Sequence, residues 1–115
     1  MVESAKPYIP NRGDIVWLQF NPRTGHEQAG WRPALVVSPE AYNGKVGLAL
    51  VCPITSTIKG YPFEVVLPPE LEISGVILAD QVKSFDWQAR EARFACKAPA
   101  EAITEVLAKI QLLVS

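Results

Sequence analysis

Apolar and polar positions change over along this chain in short runs, and the runs predict strands. Val16, Leu18 and Phe20 share one face and Ile15, Trp17 and Gln19 the other, which suits a strand buried on one side and partly covered on the second. Pro33 to Ser38 and Val46 to Cys52 are apolar almost without alternation, the signature of buried strands. Asn43-Gly44 between them predicts a tight turn with positive φ, and Pro39 and Pro53 are expected to close the two strands. Tyr61 to Leu67, Gly75 to Val82 and Ala92 to Lys97 complete the strand set, with a short helical turn expected at Trp87 to Arg90. Beyond Pro99 the period changes. Ile103, Val106, Leu107, Ile110, Leu113 and Val114 recur at three- and four-residue spacing, predicting one amphipathic helix whose stripe packs on the sheet. Pro99 suits its first position, and Glu101 complements the positive end of its dipole. Five to seven antiparallel strands, tight turns and a C-terminal helix imply a mainly β fold, a small, strongly curved sheet or barrel.

The chain has 115 residues, so a single domain spanning 1–115 is expected, with polar, proline-punctuated residues 1–11 as a loose arm. A net charge of -1 excludes a whole-protein cationic field, so a nucleic-acid partner would have to meet a local patch. Arg23, Lys45, Lys59, Lys83, Arg90 and Arg93 are the charges that a small barrel could gather on one rim. Cys52 and Cys96 lack the spacing of a zinc site and read as reduced thiols, so neither a metal nor another cofactor is expected. No apolar run approaches the ~18 residues needed to cross a bilayer. The expectation is a cytoplasmic protein, neither exported nor membrane-spanning.

The densest chemistry lies at Gly25-His26-Glu27-Gln28-Ala29-Gly30-Trp31-Arg32-Pro33, a loop that feeds a buried strand. His26 is the chain's sole histidine. Gln28 suits bracing of the loop, and Gly30 a backbone angle or close approach. Trp17 is a core filler by its position, whereas Trp31 among polar neighbours suits stacking on a base or packing at a subunit interface. Thr55 and Ser56 offer hydroxyls either to a phosphate or to a loop-capping turn. Asp80-Gln81, near a strand end, either read base edges or satisfy loop backbone groups.

Gly13-Asp14-Ile15-Val16-Trp17, His26 to Pro33, Pro53-Ile54-Thr55, Lys59-Gly60-Tyr61-Pro62-Phe63-Glu64-Val65 and Ala79-Asp80-Gln81 together resemble the MazF/PemK family. These are toxins of bacterial toxin-antitoxin pairs, and the likeness runs from Arg12 to Val114 in family order. It implies an SH3-like barrel that pairs as a homodimer, and a metal-independent endoribonuclease that cuts single-stranded mRNA until a cognate antitoxin binds. The family's catalytic arginine falls on Arg32, its loop glutamate on Glu27 and its motif threonine on Thr55. Two positions depart from the pattern. Leu78 stands where some PemK-like members have arginine, and Trp31 where the MazF branch that this chain looks most like has histidine, while His26 matches a histidine of the PemK-like branch.

A metal-free ribonuclease can use the RNA's own 2′-hydroxyl as nucleophile, which calls for a base, cations around the phosphorane and a proton for the leaving oxygen. The base falls to Glu27 or His26. Charge stabilisation falls to Arg32, whose fork matches two phosphate oxygens and whose high pKa makes it a poor proton donor. Gln28, Trp31, Ser56, Lys59, Asp80 and Gln81 are the candidate substrate contacts. The antitoxin implied is one with an acidic, extended segment that lies across the same groove as RNA. Two rival functions share the fold: a CcdB-like gyrase poison, which would need a Trp-Gly-Ile tail where this chain ends Leu113-Val114-Ser115, and a plain SH3-like interaction module.

Overall fold

A computed structural model describes residues 7–20 and 30–115. Seven antiparallel strands, β1 (Asp14–Gln19), β2 (Trp31–Val36), β3 (Ala49–Thr55), β4 (Glu64–Val66), β5 (Val76–Leu78), β6 (Lys83–Phe85) and β7 (Arg93–Lys97), form one sheet. Two helices join them, α1 (Glu40–Val46) and α2 (Ala100–Val114). The main path runs β4-β5-β3-β2-β1-β7, and β6 pairs with β3 beside it. The curved, mainly β architecture with one long C-terminal helix is the expected one, although no ladder among the described residues joins β4 to β7 and closes the barrel.

Both faces of the sheet are covered, as the double patterning of the first strand predicts. Ile15, Leu35, Cys52, Ile54 and Ile77 pack beneath Ala102 and Val106 of α2. Val16, Leu18, Ala34, Val36 and Val51 pack on the other side against Trp87, Phe85, Tyr8 and Ile9. The arm expected to be loose is therefore docked from Tyr8 onward, where Pro10 is buried and the Tyr8 hydroxyl donates to Asp14 at 2.6 Å. Lys97 Nζ donates to the second oxygen of the buried Asp14 carboxylate at 2.7 Å, which joins β7 to this corner.

The departures from expectation have identifiable causes. Asn43-Gly44 lies inside α1, because the Asn43 side chain is buried and donates to the carbonyls of Pro10 and Ser38 at 2.8 and 3.0 Å. Those long-range bonds outweigh the local turn preference, and the positive φ of 83° falls at Gly47, which caps the helix. Pro39 ends its strand as expected but also serves as the N-cap of α1. Pro53 lies within β3 because the far edge of that strand pairs with β6 over Ala49 to Val51 and with β5 at Ile54 and Thr55, leaving Pro53 between two neighbours. The expected strand Gly75 to Val82 covers β5 and a 3-10 turn at Ala79–Gln81, after which Lys83–Phe85 forms an unforeseen strand. Tyr61 to Leu67 shrinks to Glu64–Val66, and the Trp87 to Arg90 segment is a turn in which Arg90 N–H donates to the Asp86 carbonyl at 3.0 Å. In α2 the stripe packs through Ile103, Val106, Leu107 and Ile110, whereas Leu113 and Val114 lie beyond the sheet and are exposed.

Candidate active site

The pairing of β2 with β3 sets the centre of the site. Ala34 is opposite Pro53, Leu35 opposite Cys52 and Val36 opposite Val51, and just beyond this ladder Arg32 and Thr55 line the same two clefts. Leu18 lies across from Arg32 on β1 and Val76 across from Thr55 on β5, so the pair sits in mid-sheet. Arg32 is exposed and Thr55 half-buried.

Two clefts meet at this pair. The larger, about 990 Å³, is lined by Arg32, Thr55, Lys59, Tyr61, Asp80, Gln81, Lys83 and Arg90, among others. The smaller, about 410 Å³, shares Arg32 and Thr55 and is bounded by Trp17, Trp31, Ser56, Glu72 and Ser74. An extended polymer whose phosphate rested on Arg32 and Thr55 would find a cleft on either side.

Thr55 makes the loop-capping contact that was one of its two expected roles. Its Oγ1 accepts the N–H of Thr57 at 3.2 Å, which leaves the hydroxyl proton free to donate elsewhere. Gly75 holds it in place from below: φ is +119°, and a β-carbon there would meet the Thr55 carbonyl oxygen at 2.2 Å. No ordinary side chain fits.

The wall of the larger cleft is organised by Glu64. Its carboxylate accepts the backbone N–H groups of Lys59, Gly60 and Tyr61 at 3.0 to 3.3 Å, and Gly60 has a φ of +77° that lets successive N–H groups converge. Lys109 of α2 donates to the Pro62 carbonyl at 2.7 Å and ties the same loop to the helix. With its backbone so held, Tyr61 reaches across the cleft and donates its hydroxyl to Asp80 Oδ2 at 2.8 Å. That bond, and the carboxylate's charge, push the Tyr61 phenol above its ordinary pKa, so the proton stays in the bond. Asp80 Oδ1 is buried and has no hydrogen-bond partner among the described residues.

The expected residues thus fall into two groups. Arg32, Thr55, Lys59, Asp80 and Gln81 share the larger cleft, while Trp31 and Ser56 line the smaller one. His26, Glu27 and Gln28 lie outside the described residues, as does Arg23. Of the expected basic rim, Lys59, Lys83 and Arg90 line the larger cleft; Lys45 belongs to α1, and Arg93 stacks on the Trp31 indole at 4.4 Å. Arg90 is mainly a brace: Nη1 donates to the carbonyls of Gln19 and Phe20 at 3.1 and 2.5 Å, and the guanidinium covers the Phe85 ring. Gly30 makes the close approach expected of it, its Cα abutting the Gln19 side chain. Tyr61, Glu64 and Gly75 were not foreseen as site residues. For Glu64 a signal existed, an acid shortly after a Lys-Gly turn; for Gly75 the sequence offers nothing beyond the glycine itself.

Residues 11–114 match the model of the PemK-like, MazF-like toxin of type II toxin-antitoxin systems. The chain belongs to that family. Among its relatives, the endoribonuclease toxin MazF of Escherichia coli strain K12 is 50% identical over 107 residues, which cover 93% of this chain and 96% of the relative. The crystal structure of MazF from Deinococcus radiodurans superposes with a TM-score of 0.85 at 54% identity, covering 94% of this chain and 98% of that one. A MazE-MazF structure from the same organism gives 0.88 at 54% identity, covering 94% and 97%. Family membership accounts for the motif order: the segments Pro53 to Thr55, Lys59 to Val65 and Ala79 to Gln81, scattered in sequence, all contribute to the walls and floor of the larger cleft.

Proposed function

We propose that this chain is the toxin of a toxin-antitoxin pair and acts as a sequence-selective endoribonuclease on single-stranded mRNA, arresting translation and growth in the cytoplasm. The observation that supports this reading most directly is that Arg32 and Thr55 both line the two clefts. The names of the relatives, endoribonuclease in each case, support the substrate class.

In the reaction proposed, the RNA 2′-oxygen attacks the adjacent phosphorus while Glu27 or His26 takes its proton. The bond from phosphorus to the 5′-oxygen then breaks, and that oxygen leaves with a proton. The products are a 2′,3′-cyclic phosphate and a 5′-hydroxyl, and no metal takes part. Arg32 presents two N–H donors to the phosphorane oxygens as negative charge builds, and the Thr55 hydroxyl donates a third bond. Lys59 and Lys83 attract the strand, while Gln28, Trp31, Ser56, Asp80 and Gln81 contact its bases and backbone. The active form is a homodimer, and a cognate antitoxin blocks it by laying an acidic, extended segment in the same groove. The Deinococcus radiodurans relative crystallised with MazE supports an antitoxin of this kind.

The test is incubation of purified protein with a defined RNA in the presence of a chelator, followed by mapping of the ends. Cyclic phosphate and 5′-hydroxyl ends are expected. Cleavage that requires added metal, or products carrying 5′-phosphates, would overturn the mechanism.

A further inference from the structure

Tyr61 keeps 47% of its surface exposed in the larger cleft, yet it is held at both ends. Its hydroxyl donates to Asp80 Oδ2 at 2.8 Å, and its backbone N–H joins those of Lys59 and Gly60 on the Glu64 carboxylate. The ring therefore spans from the loop wall to the 3-10 turn that carries Asp80. An exposed side chain tied at its tip gives up rotamer freedom for a bond of small net worth in water, so the tie calls for a use beyond stability. The neighbouring Phe63 ring lies 6.2 Å away and is inclined by 49°, so it does not stack on Tyr61. Exposed Lys59 and Lys83 line the same cleft. Cations that draw in a phosphate backbone, set beside a presented aromatic ring, are the means by which proteins hold single-stranded nucleic acid.

We propose that Tyr61 is a stacking platform for one nucleobase of the bound strand, and that Asp80 is the positioning residue that fixes the plane of its ring. The proposal rests on the ribonuclease reading and deepens it by giving the larger cleft a base subsite. It also accounts for a carboxylate in a groove for a polyanion, because Asp80 serves the phenol. The bond to Asp80 holds that phenol protonated, so the platform brings no charge of its own. The ring is ordered before the strand arrives, and its ordering does not weaken binding. Every base offers a π-face, so this subsite requires a base without reading which one, and sequence choice falls to other contacts.

The test has two arms, both on the intact protein. In the first, a single-stranded 2′-deoxy oligonucleotide carrying 5-iodouracil is bound and irradiated at long wavelength, which couples the iodinated base to an aromatic side chain stacked on it. Mass spectrometry should place an adduct on Tyr61 in the wild type, and its yield should fall several-fold in Asp80→Ala. In the second, fluorescence anisotropy measures the binding of short 2′-deoxy oligonucleotides in which one nucleotide at a time is abasic. The wild type should lose about tenfold in affinity at one position, and exchange of purine for pyrimidine there should matter less than removal of the base. Tyr61→Ala should bind the complete strand about tenfold more weakly and be indifferent to that abasic site. Tyr61→Phe and Asp80→Ala should each reduce the abasic effect, and the double variant should reduce it no further than either alone, because both changes break the same bond.

An adduct found only on other residues, or an abasic effect that Tyr61→Ala leaves intact, overturns the platform. An Asp80→Ala protein with wild-type adduct yield and wild-type abasic effect overturns the positioning role. A wild type that stacks a base in this way but cuts no RNA would refute the ribonuclease reading alone, whereas one that binds no oligonucleotide would overturn the platform as well.

Discussion

Gly75 and Thr55 touch through their backbones: a β-carbon on the glycine would meet the Thr55 carbonyl oxygen at 2.2 Å and its carbonyl carbon at 2.9 Å. The contact is backbone on backbone, so it cannot be relieved by a rotamer change. Gly75→Ala should cost about 2 kcal/mol or more, combining a positive φ with displacement of Thr55. Chemical denaturation should report the loss and RNA cleavage should fall with it, even in protein that remains folded. An alanine variant with unchanged stability and activity would show that Thr55 is not held from this side.

Arg32 is expected to tolerate no replacement. Arg32→Ala should lower kcat by about 10²- to 10³-fold, the usual effect of removing a donor to a developing oxyanion. Arg32→Lys should recover little of it, because a point charge cannot bond two phosphate oxygens in the plane of a fork. Thr55→Ser should keep most activity and Thr55→Val should lose it. Single-turnover cleavage separates these effects from binding; a fully active Arg32→Lys enzyme would argue for simple charge attraction.

Glu64 is not expected to touch substrate, yet its loss should be felt by it. In Glu64→Ala the N–H groups of Lys59, Gly60 and Tyr61 lose their common acceptor, and the wall of the larger cleft loosens. The expected signature is a rise in KM of several-fold with a smaller change in kcat. An equal fall in kcat with KM unmoved would place Glu64 nearer the chemistry.

Stability should decline on the alkaline side. Burial pushes the Cys52 thiol from 9.0 up to about 12, and burial with the Asp14 hydrogen bond raises the Tyr8 phenol well above 10.0. Both groups stay protonated in the folded chain while their unfolded counterparts ionise, so their contribution is complete below pH 9 and is lost as pH rises from there toward 12. Thermal melts between pH 8 and 11 should show a falling Tm, with Cys52→Ala and Tyr8→Phe each reducing the slope. The same shift leaves almost no thiolate at neutral pH, so native Cys52 should resist alkylation that it undergoes once unfolded. Rapid labelling of native protein would contradict its burial.

The sequence was most legible where one physical requirement dominated. Val16, Leu18, Ile15 and Trp17 had only packing to satisfy, and their alternation announced a strand buried on one face and partly covered on the other. It was least legible where a local preference met a distant partner. Asn43-Gly44 prefers a turn, but the Asn43 amide satisfies Pro10 and Ser38, which no local pattern reveals. Pro53 looks like a stop until the two neighbours of β3 are known. In the candidate site, Arg32 and Thr55 stand out by their chemistry and motif. That they line the same clefts, and the contacts that Glu64, Tyr61 and Gly75 make, depend on segments that the sequence keeps apart.

The residues that flank the segment carrying His26, Glu27 and Gln28 are hydrogen-bonded to one another and to Arg90. Phe20 N–H donates to the Gly30 carbonyl at 3.0 Å, and Arg90 grips the Gln19 and Phe20 carbonyls beside it. A segment clamped at its base can be exchanged, lengthened or shortened while the sheet below keeps its register. In this chain the clamp fixes where residues 21–29 leave and rejoin the sheet, so substitutions within that segment should change activity without lowering the stability of the fold.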